Sequence, residues 1–170
     1  METIVFTTKE RSYSYQEKPL NSMFGVDLCC NKFTGETPLQ IGYLFRIRAL
    51  NLSHDNLKGS IPPTFSNLKQ IKSLDLYKNK FNGKIPPQLV ELIALAVFSV
   101  VYNNLSDKIP EWTAQFTTLN ESSYKGNLLL CGLPLPRSCN ENRSLSSKPE
   151  DDDNCFVAWA VSTALLHYLM

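Results

Sequence analysis

Residues 23–118 repeat themselves at one fixed interval, and a chain with that property has few ways to fold. Met23, Ile47, Ile71 and Leu95 stand 24 residues apart. Counting each as the first place of a unit, apolar residues return at the fourth and sixth places: Val26/Leu28, Leu50/Leu52, Leu74/Leu76 and Phe98/Val100. An Asn or Asp stands at the ninth place (Asn31, Asp55, Asn79, Asn103), and Phe33, Leu57, Phe81 and Leu105 stand at the eleventh. Gly35, Gly59, Gly83 or Asp107 follows, and then Pro38, Pro62, Pro86 or Pro110. A period of this size is the mark of a solenoid, in which each unit buries its apolar face only against its neighbours.

The alternation from the third to the seventh place predicts a short strand with two side chains pointing inward. Stacked units pair those strands into one parallel sheet. The Asn at the ninth place turns the chain inward, and its amide can satisfy backbone groups that the turn would otherwise bury unpaired. Each later Pro stops a helix and needs no ladder N–H, so the far side is expected to be irregular or short 3-10 turns. Two positions depart from the pattern. Asp55 cannot donate when ionised, and Asp107 replaces a Cβ-free residue, although Asp tolerates left-handed φ better than most.

The stretches LNLSHDNLKGSIPPTFSNL and LDLYKNKFNGKIPPQLVEL resemble the plant-type leucine-rich repeat, and the tail YKGNLLLCGLPLPRSC resembles the closing cap of plant leucine-rich-repeat receptors. Over about residues 1–155 the chain looks like the membrane-proximal end of a plant receptor-like protein, the class with an ectodomain and a membrane helix but no kinase. The resemblance implies an α/β solenoid: a right-handed coil with short parallel strands on its concave face, an irregular or 3-10 convex side, about four repeats and a C-terminal cap. It also implies that residues 1–22, where Thr3, Val5 and Thr7 hint at one strand, end a non-repeat island, and that Cys131 and Cys139 form a disulfide closing the cap. The expected units are then 1–22, the repeats 23–118, a cap 119–139, a polar acidic linker 140–155 and an apolar end 156–170. Val26, Leu28 and Phe33 are expected to keep apolar surface uncovered at the first repeat's outer edge.

The N-terminus METIVFTTKERSYSY carries no secretory leader. Phe156–Met170 is 15 uncharged residues, against the roughly 20 a spanning helix wants. A shortened membrane helix, a lipid-anchor signal and an apolar tail with no stable insertion all remain open for it. The resemblance places the protein at the plasma membrane, facing outward.

Little in the chain suggests chemistry. Net charge is +1, so no bulk field draws it to nucleic acid. His54 and His167 have no carboxylate or cysteine at a spacing for a base or a metal ligand. Cys29-Cys30 lacks two further zinc ligands, and Asp151–Asp153 lacks the fixed turn of a calcium site. No phosphate loop, nucleophile elbow or carboxylate pair stands out. The reading is a non-enzyme with no catalytic, metal or cofactor residues. An odd cysteine count, five, leaves one thiol over. Sequons begin at Asn51, Asn104, Asn120 and Asn142; a glycan on Asn51 would obstruct the sheet.

Outward-pointing strand positions are the surface that varies on a constant frame. Asp27, Asn51, Ser73, Asp75, Tyr77, Lys78, Ser99 and Tyr102 are the candidate partner-binding residues, with Tyr77, Lys78 and Tyr102 as the anchor because interfaces favour aromatics. The resemblance implies a protein partner, a receptor kinase acting as co-receptor, with a peptide or protein ligand. A soluble interaction module such as a wall-enzyme inhibitor and a truncated pseudogene product are the rival readings.

Overall fold

The computed structural model describes residues 25–112 and 119–140, together with the backbone of 3–8 and 11–16. Residues 113–118 and everything after Asn140 lie outside that description, and so do the linker, Asn142, the acidic run, His167 and the apolar end. The single strand expected near Thr3 is one half of a hairpin: β1 (Thr3–Thr8) and β2 (Arg11–Gln16) pair antiparallel, Thr3 opposite Gln16.

The repeats stack into two parallel sheets. The inner one orders β3 (Gly25–Asp27), β5 (Ala49–Asn51), β7 (Ser73–Asp75) and β9 (Val97–Ser99), each pairing with the residue 24 positions on, Leu50 with Leu74 and Leu74 with Phe98. Ladder bonds continue past the strands: Leu52 N–H donates to Asp75 O at 2.9 Å, His54 to Tyr77 O at 2.9 Å, and Lys78 to Val101 O at 2.8 Å. The convex side carries 3-10 helices, as expected, at Leu39–Tyr43, Pro63–Asn67 and Pro87–Glu91. Pro38, Pro62 and Pro86 start them from extended backbone.

Between the ninth-place turn and those prolines, a second sheet replaces the expected irregular chain. It orders β4 (Thr34–Glu36), β6 (Asn56–Gly59), β8 (Lys80–Gly83), β10 (Asn104–Lys108) and β11 (Leu129–Cys131). The turn delivers these residues extended and edge to edge, so their backbone groups find partners in the neighbouring coil rather than in water. Gly35, Gly59 and Gly83 bend the chain there with φ of 92°, 78° and 71°. Asp107 adopts φ 72° in the same place, so the replacement leaves the path of the chain unchanged.

The period runs one unit further than the sequence reading took it. Leu119, Tyr124 and Asn127 occupy the first, sixth and ninth places of a fifth coil, and all three are buried. A 3-10 helix at Glu121–Tyr124 stands where a strand would be. The ladder nevertheless continues, with Val100 N–H donating to Ser123 O at 2.9 Å and Tyr102 N–H to Lys125 O at 2.8 Å. β11 then pairs with β10, and Cys131 and Cys139 are disulfide-bonded with their Cα atoms 5.0 Å apart.

The core is a set of columns. Leu52, Leu76 and Val100 line one, Leu57, Phe81 and Leu105 another, and Ile61, Ile85 and Ile109 a third, all buried. At the outer edge of the first coil Val26 and Leu28 are only partly buried and Phe33 is 44% exposed, as the pattern predicts. Position in the column sets the energetic weight of a residue. Leu76→Ala should lower unfolding free energy by about 3 kcal/mol through lost burial and a residual cavity, whereas Ile93→Ala, at a residue 68% exposed, should change it by less than about 0.5 kcal/mol. Denaturant melts of the two variants check this.

Candidate protein-interaction face

The inner sheet fixes four columns of outward side chains, and the columns differ in what they are free to do. Fifth-place residues cap the backbone. Oδ1 of Asp27 accepts from Cys29 N–H at 3.1 Å, that of Asn51 from Ser53 N–H at 3.0 Å, and that of Asp75 from Tyr77 N–H at 3.0 Å. These bonds satisfy amides that the ladder leaves over and hold the fifth-place side chains in one rotamer. Third- and seventh-place residues differ from coil to coil, Gly25 being exposed and Tyr77, Val97 and Val101 half-buried. Ala49, Ser53 and Ser73 are buried, and so is the Cys29 thiol, so Ser73 offers the least surface of the eight candidate residues.

Asp75 stands in a crowded position. Burial raises its pKa first and foremost, the like charge of Asp27 adds to that, and the Tyr77 amide and Ser99 hydroxyl oppose it; the result is pushed up to about 6. The pairing register puts Asn51 between the two carboxylates.

The eighth place is left-handed in every coil. Cys30, His54, Lys78 and Tyr102 have φ of 62°, 56°, 52° and 53°, and Gly126 has 79° in the fifth coil. This conformation swings the side chain sideways toward the neighbouring coil and brings rings into a row. His54 and Tyr77 have ring centroids 4.8 Å apart, and Tyr77 and Tyr102 are 5.8 Å apart and edge to face. Tyr102 lies over Gly126, where an added Cβ would meet its Cδ1 at 2.2 Å. Tyr77 and Tyr102, expected as anchors, are thus in contact, with Lys78 half-buried beside them. His54, which its sequence spacing marks as neither base nor metal ligand, completes the row. The signal that could have found it was the eighth-place column itself, which holds Cys, His, Lys, Tyr and Gly but no β-branched residue, as a left-handed position requires.

Of the sequons, Asn104 and Asn120 are exposed. Asn51 is half-buried with its Oδ1 engaged by Ser53, and Asn120 caps the 3-10 helix at Glu121 by accepting from Ser122 N–H. Among the described residues no group of three His, Cys, Asp or Glu could hold a metal ion, and no helix is long and apolar enough to cross a membrane.

The leucine-rich-repeat family model matches residues 46–68 and 70–92. Cuscuta receptor 1 of Solanum lycopersicum is 57% identical over 144 residues, covering 85% of this chain and 13% of the relative. Receptor-like protein 9b of Arabidopsis thaliana is 54% identical over 154 residues, covering 91% of this chain and 16% of the relative. The chain therefore spans less than a fifth of the length of these relatives. Among solved structures, the BIR3–SERK2 complex of Arabidopsis thaliana matches with TM-score 0.64 and 30% identity, over 82% of this chain and 80% of that one. The plant peptide hormone receptor RGFR1, in complex with RGF2, matches with TM-score 0.61 and 28% identity, over 74% of this chain and 22% of that one.

The pH dependence of Asp75 has a definite sign. Its folded pKa, about 6, lies above the unfolded value of 3.8. Its contribution is therefore fully present below pH 3.8 and lost as pH rises through 6. Asp75→Asn should raise unfolding free energy at pH 7, by up to about 3 kcal/mol for a shift of this size, with little change at pH 4. Thermal melts at the two pH values decide it.

Proposed function

Because the chain belongs to the leucine-rich-repeat receptor-like proteins of plants, we propose that it is part of a non-catalytic cell-surface receptor whose concave face docks a protein partner. The row of rings His54, Tyr77 and Tyr102 carries this reading. Large side chains packed on one another on a rigid sheet lose little freedom on binding, and tyrosine is among the residues that dominate interface energetics. Half-buried Asp27, Asn51, Asp75 and Ser99 supply a polar margin beside the row.

The partner is a transmembrane receptor kinase with a repeat ectodomain of its own, acting as co-receptor in plant signalling, defence or development; a peptide or protein ligand joins them. The complexes formed by BIR3 with SERK2 and by RGFR1 with RGF2 support protein and peptide partners for this fold. An outward-facing location at the plasma membrane fits the Cys131–Cys139 disulfide, since such bonds persist in oxidising compartments. Glycans belong at the exposed Asn104 and Asn120 and in the linker at Asn142, with Asn51 least suited. Residues 156–170 supply the membrane attachment.

Two experiments test this. In surface-immobilised binding to leucine-rich-repeat receptor-kinase ectodomains, Tyr77→Ala combined with Tyr102→Ala should weaken capture by about tenfold or more, while Ile93→Ala leaves it unchanged. Equal capture by both variants, each with an intact melting transition, rejects the face. In fractionated plant cells the full chain should stay with the membrane through a carbonate wash. Release would favour a soluble interaction module such as a wall-enzyme inhibitor.

A further inference from the structure

The ninth-place side chains of the third to fifth coils perform one task, and that of the second lacks half the equipment. Oδ1 of Asn79, Asn103 and Asn127 accepts from the amides of Leu57, Phe81 and Leu105, each at 3.0 Å. Nδ2 of the same residues donates to the carbonyls of Leu52, Leu76 and Val100, at 2.7, 2.9 and 2.8 Å. Each side chain thus stitches its coil to the preceding one with a donor and an acceptor together.

Asp55 keeps the acceptor half. Its Oδ1 takes the amides of Asn31 at 3.0 Å and Phe33 at 2.9 Å. Oδ2 is buried and meets no donor. By position it stands where the sibling amides reach carbonyls, and the corresponding carbonyls here are those of Leu28 and Leu52. An ionised oxygen there turns a lone pair toward two more lone pairs. A proton on Oδ2 converts it into a donor and restores the pattern of the other coils.

We propose that the joint between the first and second coils is a proton-operated clasp: with Oδ2 protonated, Asp55 fastens the Leu28–Phe33 turn as an asparagine would, and on ionisation that turn loosens. Burial holds the Asp55 carboxyl above the usual carboxylate range, against the pull of the Phe33, Asn31 and Lys32 amides. A folded pKa above the unfolded one makes the clasp complete in acid and progressively lost as pH rises through the folded value. The charged and titratable groups around it do not cancel this. Lys32 is exposed, the His54 ring lies against Tyr77, the next coil presents the neutral Asn79, and Asp27 and Asp75 stand at the fifth places of the flanking coils. The first coil is also the one with least core behind it, Val26 and Leu28 being only partly buried, so loss of one stitch acts there locally.

Amide hydrogen exchange of the full 170-residue chain tests the clasp, comparing Asp55→Asn with its parent at pH 7 and pH 4 in an Asp75→Asn background that removes the other raised carboxyl. At pH 7 the substitution should slow exchange of Asn31 and Phe33 by about fivefold, the worth of one buried hydrogen bond. At pH 4 the ratio should shrink toward one, and Phe81 and Leu105 should not respond at either pH. An equal ratio at both pH values, no slowing at pH 7, or slowing shared equally by Phe81 and Leu105 overturns the proposal.

Discussion

The amide side chain at the ninth place is the interaction on which the solenoid depends. Each turn must bury backbone N–H and C=O groups pointing along the coil axis, toward the adjacent coil and away from water. Hydrophobic columns alone would leave those groups orphaned, at a cost of about 1–3 kcal/mol apiece. Asn79, Asn103 and Asn127 answer with one acceptor and one branching donor each; Nδ2 of Asn103 reaches Leu76 O, Val100 O and Val101 O. Because the bonds cross between coils, stacking and turning become one event, and the packing of Leu, Phe and Ile columns follows from it.

That frame explains why the concave face can vary without disturbing the fold. Fifth-place side chains cap amides through a single oxygen, so Asp27, Asn51 and Asp75 serve alike. Eighth-place side chains ride on left-handed backbone whose conformation the stacked turn imposes. Recognition chemistry therefore gathers at positions where the architecture asks only for a hydrogen-bond acceptor or for an unbranched Cβ, joined by the half-buried seventh-place Tyr77. In the ring row, His54 and Tyr102 draw on the second of these, while Tyr77 comes from the seventh place.

The inner sheet, the columns and the 3-10 convex side were legible in the sequence because each rests on a period that apolar residues and prolines print directly. The second sheet was not. Its middle strands set one buried residue among polar ones, as in Lys80, Phe81 and Asn82, and that short polar run reads as loop. The fifth coil escaped because its strand residues, Glu121 to Ser123, are polar and only the spacing of Leu119 and Asn127 betrays it. In the candidate face, Tyr77 and Tyr102 could be singled out by residue type. The contact of Tyr77 with His54 could not, since it depends on a left-handed eighth place that brings the His54 ring across the boundary to the next coil.

The two sheets also count differently. Inner strands pair residues 24 apart, Ser73 with Val97, whereas Lys58 faces Lys80 and Asn82 faces Asn104 on the flank. Each step from β4 to β10 therefore slips by two positions, about 6.6 Å of strand, and the last, to β11, by one, so equivalent side chains run there as slanted stripes, like the thread of a screw, while those inside form straight files. Because the same slip recurs at each of those joints, copying one coil would reproduce the neighbour contacts on both surfaces, lengthening the files and adding one more step to the stripes.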